Sequence, residues 1–211
     1  SRRAGAHTVL TAMAFGDQGF RPESALLSST ILDFVENRLH KILRPAARTE
    51  YIIIPRHSSQ NRRYIPIGFV APEIICGDAN LLLPNASLFH FGVMSSNVHN
   101  AWIRTVCGRI KSDYRYSVNV VYNNFPWPTP TEEQKAKIEQ TAQAILDART
   151  LYPDCSLADL YDEVTMPPEL RKAHQANDKA VMQAYGFWGK LNTETACVAE
   201  LMKMYQKLTE V

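Results

Sequence analysis

Apolar residues fall on two different rhythms along the chain. Between residues 24 and 43 (SALLSSTILDFVENRLHKIL), Leu27, Ile31, Phe34, Val35, Leu39 and Ile42 lie near a 3.6-residue period, with Ser24 as N-cap and Pro45 as stop. This spacing predicts an amphipathic helix. Extended segments come next: Glu50 to Pro55 (EYIIIP), Arg63 to Val70 (RYIPIGFV, interrupted by Pro66), Glu73 to Cys76, and Leu88 to Met94 (LFHFGVM). Their β-branched and aromatic content predicts four strands. Ser95-Ser96-Asn97, before a helical run, reads as an N-cap.

The stretch Asn100 to Pro128 (NAWIRTVCGRIKSDYRYSVNVVYNNFPWP) starts helical, with Ala101, Ile103 and Val106, and passes Gly108. It then alternates charged with aromatic or apolar residues as far as Tyr122, which predicts a strand. Lys111, Asp113 and Arg115 would share one face of it, an arrangement costly in a core and useful on a binding surface. Phe125-Pro126-Trp127-Pro128 ends the pattern, because proline cannot extend a ladder.

Beyond Pro130 only the helical rhythm remains. Thr131 to Thr150, Leu157 to Leu160, Pro168 to Tyr185 and Thr193 to Leu208 each read as a helix, two opening on a Thr cap and one on Pro. The expected architecture is therefore α/β (α+β): a mixed, largely antiparallel sheet with surrounding helices, then a C-terminal helical subdomain. The boundary falls at residues 129 and 130.

Charge changes this picture more than composition does. A net charge of +2 hides an asymmetry: residues 1 to 117 hold fourteen Lys/Arg against eight Asp/Glu, and residues 118 to 211 hold nine against thirteen. Only the first part suits a polyanion. Its positive residues gather at Arg38, Lys41, Arg44 and Arg48, where the helix C-terminus would favour cations anyway, and in Arg56-His57-Ser58-Ser59-Gln60-Asn61-Arg62-Arg63. In that loop Ser59, Gln60 and Asn61 are side-chain types that read base edges, and Arg56, Arg62 and Arg63 suit phosphates. Hairpin loops are polar in any case, so a solvated basic surface stays open as the alternative.

Other classes find little support. No apolar run approaches the roughly 18 residues of a membrane span. Four dispersed cysteines, Cys76, Cys107, Cys155 and Cys197, with no CxxC pair, argue for reduced buried thiols in the cytoplasm rather than a zinc site. None of the nine glycines forms a phosphate-binding loop, and GxSxG and HExxH are absent from the chain. Asn123-Asn124-Phe125-Pro126-Trp127 lacks the Asn-Pro-Pro order with which amino-methyltransferases hold an amine. His90 and His99 read as core or surface residues. The chain lacks an initiator Met, which suggests a fragment of something longer, and the fragment itself is expected to be non-catalytic.

Four separated motifs, SSQNRRYIPIGF (58–69), LFHFGVMSS (88–96), GRIKSDYRYS with VYNNFPWP (108–128) and LADLYDEVTMPPELRKAHQANDKAV (157–181), occur in an order that resembles the C-terminal region of MmeI-like type IIG restriction-modification enzymes. The resemblance covers about residues 48 to 190. In that family one chain carries a nuclease, a helical connector, an adenine-N6 methyltransferase, a target recognition domain and a small helical domain. The resemblance implies a module recognising double-stranded DNA beside the methyltransferase domain of the same parent chain. S-adenosylmethionine and Mg2+ would be held by that parent and not by this fragment. It also implies base reading by Lys111 and Asp113, with Arg115 beside them, and by the Ser58-Ser59-Gln60 loop, where Gln60-Asn61 replaces the Glu expected after two serines. An RNA-binding or protein-interaction module with a basic face is the alternative.

Overall fold

The structure, a computed structural model, describes residues 49–210. The helix expected over 24–43 and the cluster Arg38, Lys41, Arg44 and Arg48 lie outside the described residues. Strand β1 (Tyr51–Pro55) lies between β3 (Gly68–Val70) and β4 (Asn80–Pro84), antiparallel to both. The register sets Ile52 against Phe69 and Leu83, and Ile54 against Leu81. Ile52, Ile54 and Leu81 are buried, so EYIIIP is a strand because most of it is covered. A second antiparallel sheet has β6 (Asp113–Arg115) between β2 (His57–Ser58) and β5 (Gly108–Ile110). The architecture is thus α+β with two small antiparallel sheets where one was expected.

Three of the four strands expected before residue 95 differ from that expectation. LFHFGVM is helix α1 (Leu88–Met94), opened by Ser87, whose backbone N–H donates to His90 Nδ1 at 3.1 Å. All four of Phe91, Gly92, Val93 and Met94 are buried, and a run buried on every side carries no period that separates helix from strand. Glu73 to Cys76 is irregular chain leaving a turn at Pro72 and Glu73, with Ile74 and Ile75 exposed, and the third strand of that sheet is Asn80–Pro84. Of Arg63 to Val70 only Gly68–Val70 is strand, since Pro66 removes a ladder donor.

Helix α2 (Asn97–Val106) comes next, its cap Ser96 Oγ accepting from His99 N. After β6 the chain makes a π-helical turn, Val118–Tyr122, in which Asn123 N donates to Val118 O at 2.9 Å. The strand expected to reach Tyr122 therefore ends at Arg115. Trp102 Nε1 donates to Val121 O at 3.0 Å and Val121 is buried, which holds this turn against α2.

Helices α3 (Glu132–Thr150), α4 (Leu157–Leu160), α5 (Pro168–Ala184) and α6 (Glu194–Thr209) keep the expected order, with Thr131, Ser156 and Thr193 as caps. Ile138, Ala142 and Ile145 of α3 are buried and pack towards α1 and α5. Gly92 makes this approach possible: a Cβ there would lie 2.7 Å from Ile138 Cγ2 and 3.2 Å from Ala142 Cβ. Asn177 completes the seam, donating to Gly92 O at 2.7 Å and accepting from Thr141 Oγ1 at 3.1 Å. Among the described residues no helix is long and apolar enough to cross a membrane. Of the cysteines expected to be buried only Cys197 is: Cys155 is exposed, and Cys76 and Cys107 are half-buried.

Candidate nucleic-acid interface

The second sheet joins two segments that lie some fifty residues apart in sequence. His57 pairs with Arg115, and Ser58 with Tyr114, so the 56–63 loop and the 108–115 hairpin become neighbours. Tyr114 turns inward and is buried, while Asp113 and Arg115 on either side of it are exposed, as alternation along a strand requires. Tyr116 N continues the pairing by donating to Arg56 O at 2.8 Å.

Lys111 is not on that strand. It occupies the tip of the β5–β6 hairpin with φ 55°, in the left-handed region that costs a non-glycine residue on the order of 1 kcal/mol. Its side chain therefore does not share a strand face with Asp113 and Arg115, although all three are exposed within five residues. Short strands leave no room for the longer alternation the sequence suggested. Arg109, absent from the expected set, braces the tip: its guanidinium lies 4.7 Å from the Tyr114 ring centroid, and Nη1 donates to Ser112 O at 3.1 Å. Its place two residues before Lys111 was the available signal.

Across from this tip, Ser59 to Arg62 form a tight turn. Arg62 N donates to Ser59 O at 3.2 Å and Asn61 N to Ser59 Oγ at 3.3 Å. Ser59 is thereby committed to shaping the turn, and Gln60 and Asn61 occupy its exposed centre. Gln60 N also donates to Asp113 Oδ1 at 3.3 Å, tying turn to hairpin. Arg56, exposed, donates from Nε to Asp78 O at 2.8 Å; Arg63 donates from Nε to the Tyr64 hydroxyl at 3.2 Å. Arg62, half-buried, lines an open cleft of about 710 Å³ between this turn, α2 and the α5–α6 connection.

Behind the turn the polar groups are buried. Asp178 on α5 accepts from the Tyr64 hydroxyl at 2.7 Å and from Asn97 N at 2.7 Å, and burial pushes its pKa up to about 6. His174, one helical turn earlier, stacks on the Tyr64 ring at 4.2 Å and meets the Tyr161 hydroxyl at 2.7 Å. Burial lowers its pKa to about 3, as it does for His99, whose Nε2 meets the Tyr116 hydroxyl at 3.1 Å.

A family model for the MmeI target recognition domain matches residues 23–129, and one for the MmeI C-terminal domain matches residues 130–211. The chain belongs to the MmeI family. The match begins at residue 23, well before the four motifs that carry the resemblance. A solved structure of the type IIL restriction-modification enzyme MmeI in complex with DNA has 52% identity and a TM-score of 0.75, covering 78% of this chain and 22% of that one. DNA methyltransferase A of Bacillus subtilis (strain 168) is 36% identical over 159 residues, 75% of this chain and 18% of that protein. The chain thus spans about a fifth of the length of the relatives it matches.

Within this MmeI-family chain, no group of three or more His, Cys, Asp or Glu among the described residues could hold a metal ion.

Proposed function

We propose that this chain reads double-stranded DNA sequence on behalf of an S-adenosylmethionine-dependent adenine methyltransferase with restriction activity. In this reading residues 1–129 form the recognition domain and residues 130–211 the helical domain. The cofactor, and Mg2+ for cleavage, belong to the methyltransferase and nuclease portions of the parent chain. One observation carries the reading: the Ser59–Arg62 turn and the Ile110–Asp113 tip stand side by side on one exposed sheet, joined by Gln60 N and Asp113 Oδ1. A two-stranded projection of this size suits the major groove.

The chemistry of the exposed groups supports it. Lys111 donates to guanine O6 and N7, and Asp113 accepts from the cytosine N4 amine, so one G·C pair satisfies both. Gln60 and Asn61 offer the paired donor and acceptor that an adenine edge requires, and Arg115 suits a further guanine. Arg56, Arg62 and Arg63, with Arg38, Lys41, Arg44 and Arg48, supply backbone contacts in this reading.

Equilibrium binding of the full-length protein to a panel of duplexes at low and moderate salt tests the proposal. Binding that weakens with salt, with a slope reduced by roughly one in Arg62→Ala, is the expected result. Failure to bind any duplex at low salt would leave an RNA or protein partner for the basic face.

A further inference from the structure

The reading turn is held from two sides, and the second side belongs to α2 together with the helices beyond residue 130. On the hairpin side the holding contact is Gln60 N to Asp113 Oδ1. On the other side three consecutive residues are gripped. Arg63 O accepts from Arg104 Nη1 at 3.0 Å, and Arg104 is itself fixed by Glu194 of α6 through Nε at 2.7 Å and Nη2 at 2.9 Å. The Tyr64 hydroxyl donates to Asp178 of α5. Ile65 N donates to Asn100 Oδ1 at 2.9 Å, and Asn100 Nδ2 donates to Ser96 O at 2.8 Å. Gln60 and Asn61, held here through their backbone N–H groups, are exposed.

Asp178 is the most demanding of these groups. It is 5% exposed, its two oxygens each accept one hydrogen bond, and Arg63 and Arg104 are too distant to form an ion pair with it. A buried carboxylate without a bonded cation is a costly way to join two helices, and an apolar residue of similar volume would join them at less cost. What the carboxylate adds is direction: it fixes the Tyr64 hydroxyl and the first N–H of α2 to one point. Tyr64 stands four residues from Gln60, too close for its displacement to leave the turn in place.

We propose that Asp178, through its hydrogen bond to the Tyr64 hydroxyl, is a positioning residue for DNA reading, by which the C-terminal helices set the placement of Gln60 and Asn61. The inference rests on the reading that this turn contacts bases. A positioning role predicts loss of discrimination at one base pair. A purely structural role would lower stability, or weaken binding to all sequences alike.

The test uses the full-length protein, with methylation mapped on a randomised duplex library and thermal melting measured alongside. Tyr64→Phe keeps the ring stacked on His174 and removes only the hydroxyl. It is expected to melt within a few degrees of the parent while losing roughly tenfold in discrimination at the base pair read by the turn. The pair read by Lys111 and Asp113 keeps its preference. Asp178→Ala should show the same loss at that base pair, and the double variant should lose no more discrimination there than the worse single one, because the Tyr64–Asp178 bond is the one both break; the Arg63 Nε contact to Tyr64 and the Asn97 N contact to Asp178 are lost in one variant each. A folded Tyr64→Phe protein with unaltered discrimination at every position overturns the proposal, whatever becomes of Asp178→Ala. Gln60→Ala separates the two levels. If it shifts the recognised sequence and Tyr64→Phe does not, only the positioning role fails; if Gln60→Ala shifts nothing, the base-reading role of the turn fails and the positioning role with it.

Discussion

The two sheets each have three antiparallel strands and are used in opposite ways. In β3-β1-β4 the five-residue strands β1 and β4 pair along their whole length, and Ile52, Ile54 and Leu81 are buried against Phe69, Phe91 and the helices. In β2-β6-β5 no strand exceeds three residues, β5 is exposed throughout, and Tyr114 and Ser58 are its buried positions. The first sheet is held by its own burial. The second is held from outside, by Tyr114 and Tyr116 beneath it and by polar contacts at both ends of its longest loop. A surface carried this way can change its side chains with little effect on the fold, because few of them contribute to the core.

Breaking the buried side of the comparison has the largest effect. Phe91 is fully buried, with its ring 5.5 Å from Phe69 and the Arg149 guanidinium 5.2 Å away. Phe91→Ala should cost about 3–5 kcal/mol. Urea unfolding should show it as a lowered midpoint with an unchanged slope, and a loss below about 1 kcal/mol would mean that α1 is not part of the first sheet's support.

Acid is the next lever. His99 and His174 are buried as neutral rings with pKa values lowered to about 3, so the unfolded chain binds more protons than the folded one as pH falls from the ordinary histidine range. Their contribution is fully present above about pH 6.5 and is lost on acidification. Asp178 acts in the opposite sense: its pKa is raised to about 6, so the folded state gains protons first and part of the loss is offset. A net loss on the order of 3 kcal/mol between pH 6.5 and 4.5 is expected from chemical unfolding at a series of pH values. A flat profile over that range would mean that these rings are not buried in the neutral form.

What could be read in the sequence divides along the same line. The helices after residue 130 announce themselves through Thr131, Thr193 and Pro168, because caps and periodicity are local. EYIIIP is equally local. LFHFGVM misled because complete burial erases the period, and the run from Asp113 to Tyr122 misled because it is strand only as far as Arg115 and then enters a π-helical turn. The pairing of the 57–58 and 113–115 segments depends on contacts across fifty residues, and only the family resemblance placed both in one interface. Tyr64, Asp178 and the Arg104–Glu194 pair carried no local signal. Each is an ordinary residue until the fold brings its partner to it.

On the exposed side, exchanging Lys111→Glu together with Asp113→Arg should alter which base is accepted at one position and keep the rest of the site. The expected effect is about 1–3 kcal/mol of discrimination for each mismatched contact, with stability changed by less than about 0.5 kcal/mol. Asp113 also receives the N–H of Gln60, so a smaller loss at the neighbouring position is expected from the same exchange. An active double variant with an unchanged recognition sequence, mapped on a randomised library, would remove Lys111 and Asp113 from the reading surface.

The smallest effect is expected from the lysines of the helical tail, and it marks where the proposed reading surface ends. Lys137 Nζ donates to Gln140 Oε1 at 2.9 Å and Lys203 Nζ to Glu200 Oε1 at 2.7 Å, each within its own helix, while Lys135 lies in the first turns of α3 beside His90. The segment around them is rich in acid, thirteen Asp/Glu against nine Lys/Arg from residue 118 on, which opposes approach to a polyanion. Each lysine in contact with a phosphate adds close to one unit to the salt slope of binding, whereas a solvated lysine on an acidic face adds almost nothing. Replacing Lys135, Lys137 or Lys203 by Gln in the full-length protein should therefore leave both affinity and salt slope within experimental scatter, in contrast to Arg62→Ala. A slope reduced by about one for any of the three would extend the DNA surface onto the helices. Asp178 and Glu194 would then serve a segment that touches the duplex itself, and the division between a reading sheet and supporting helices would fail.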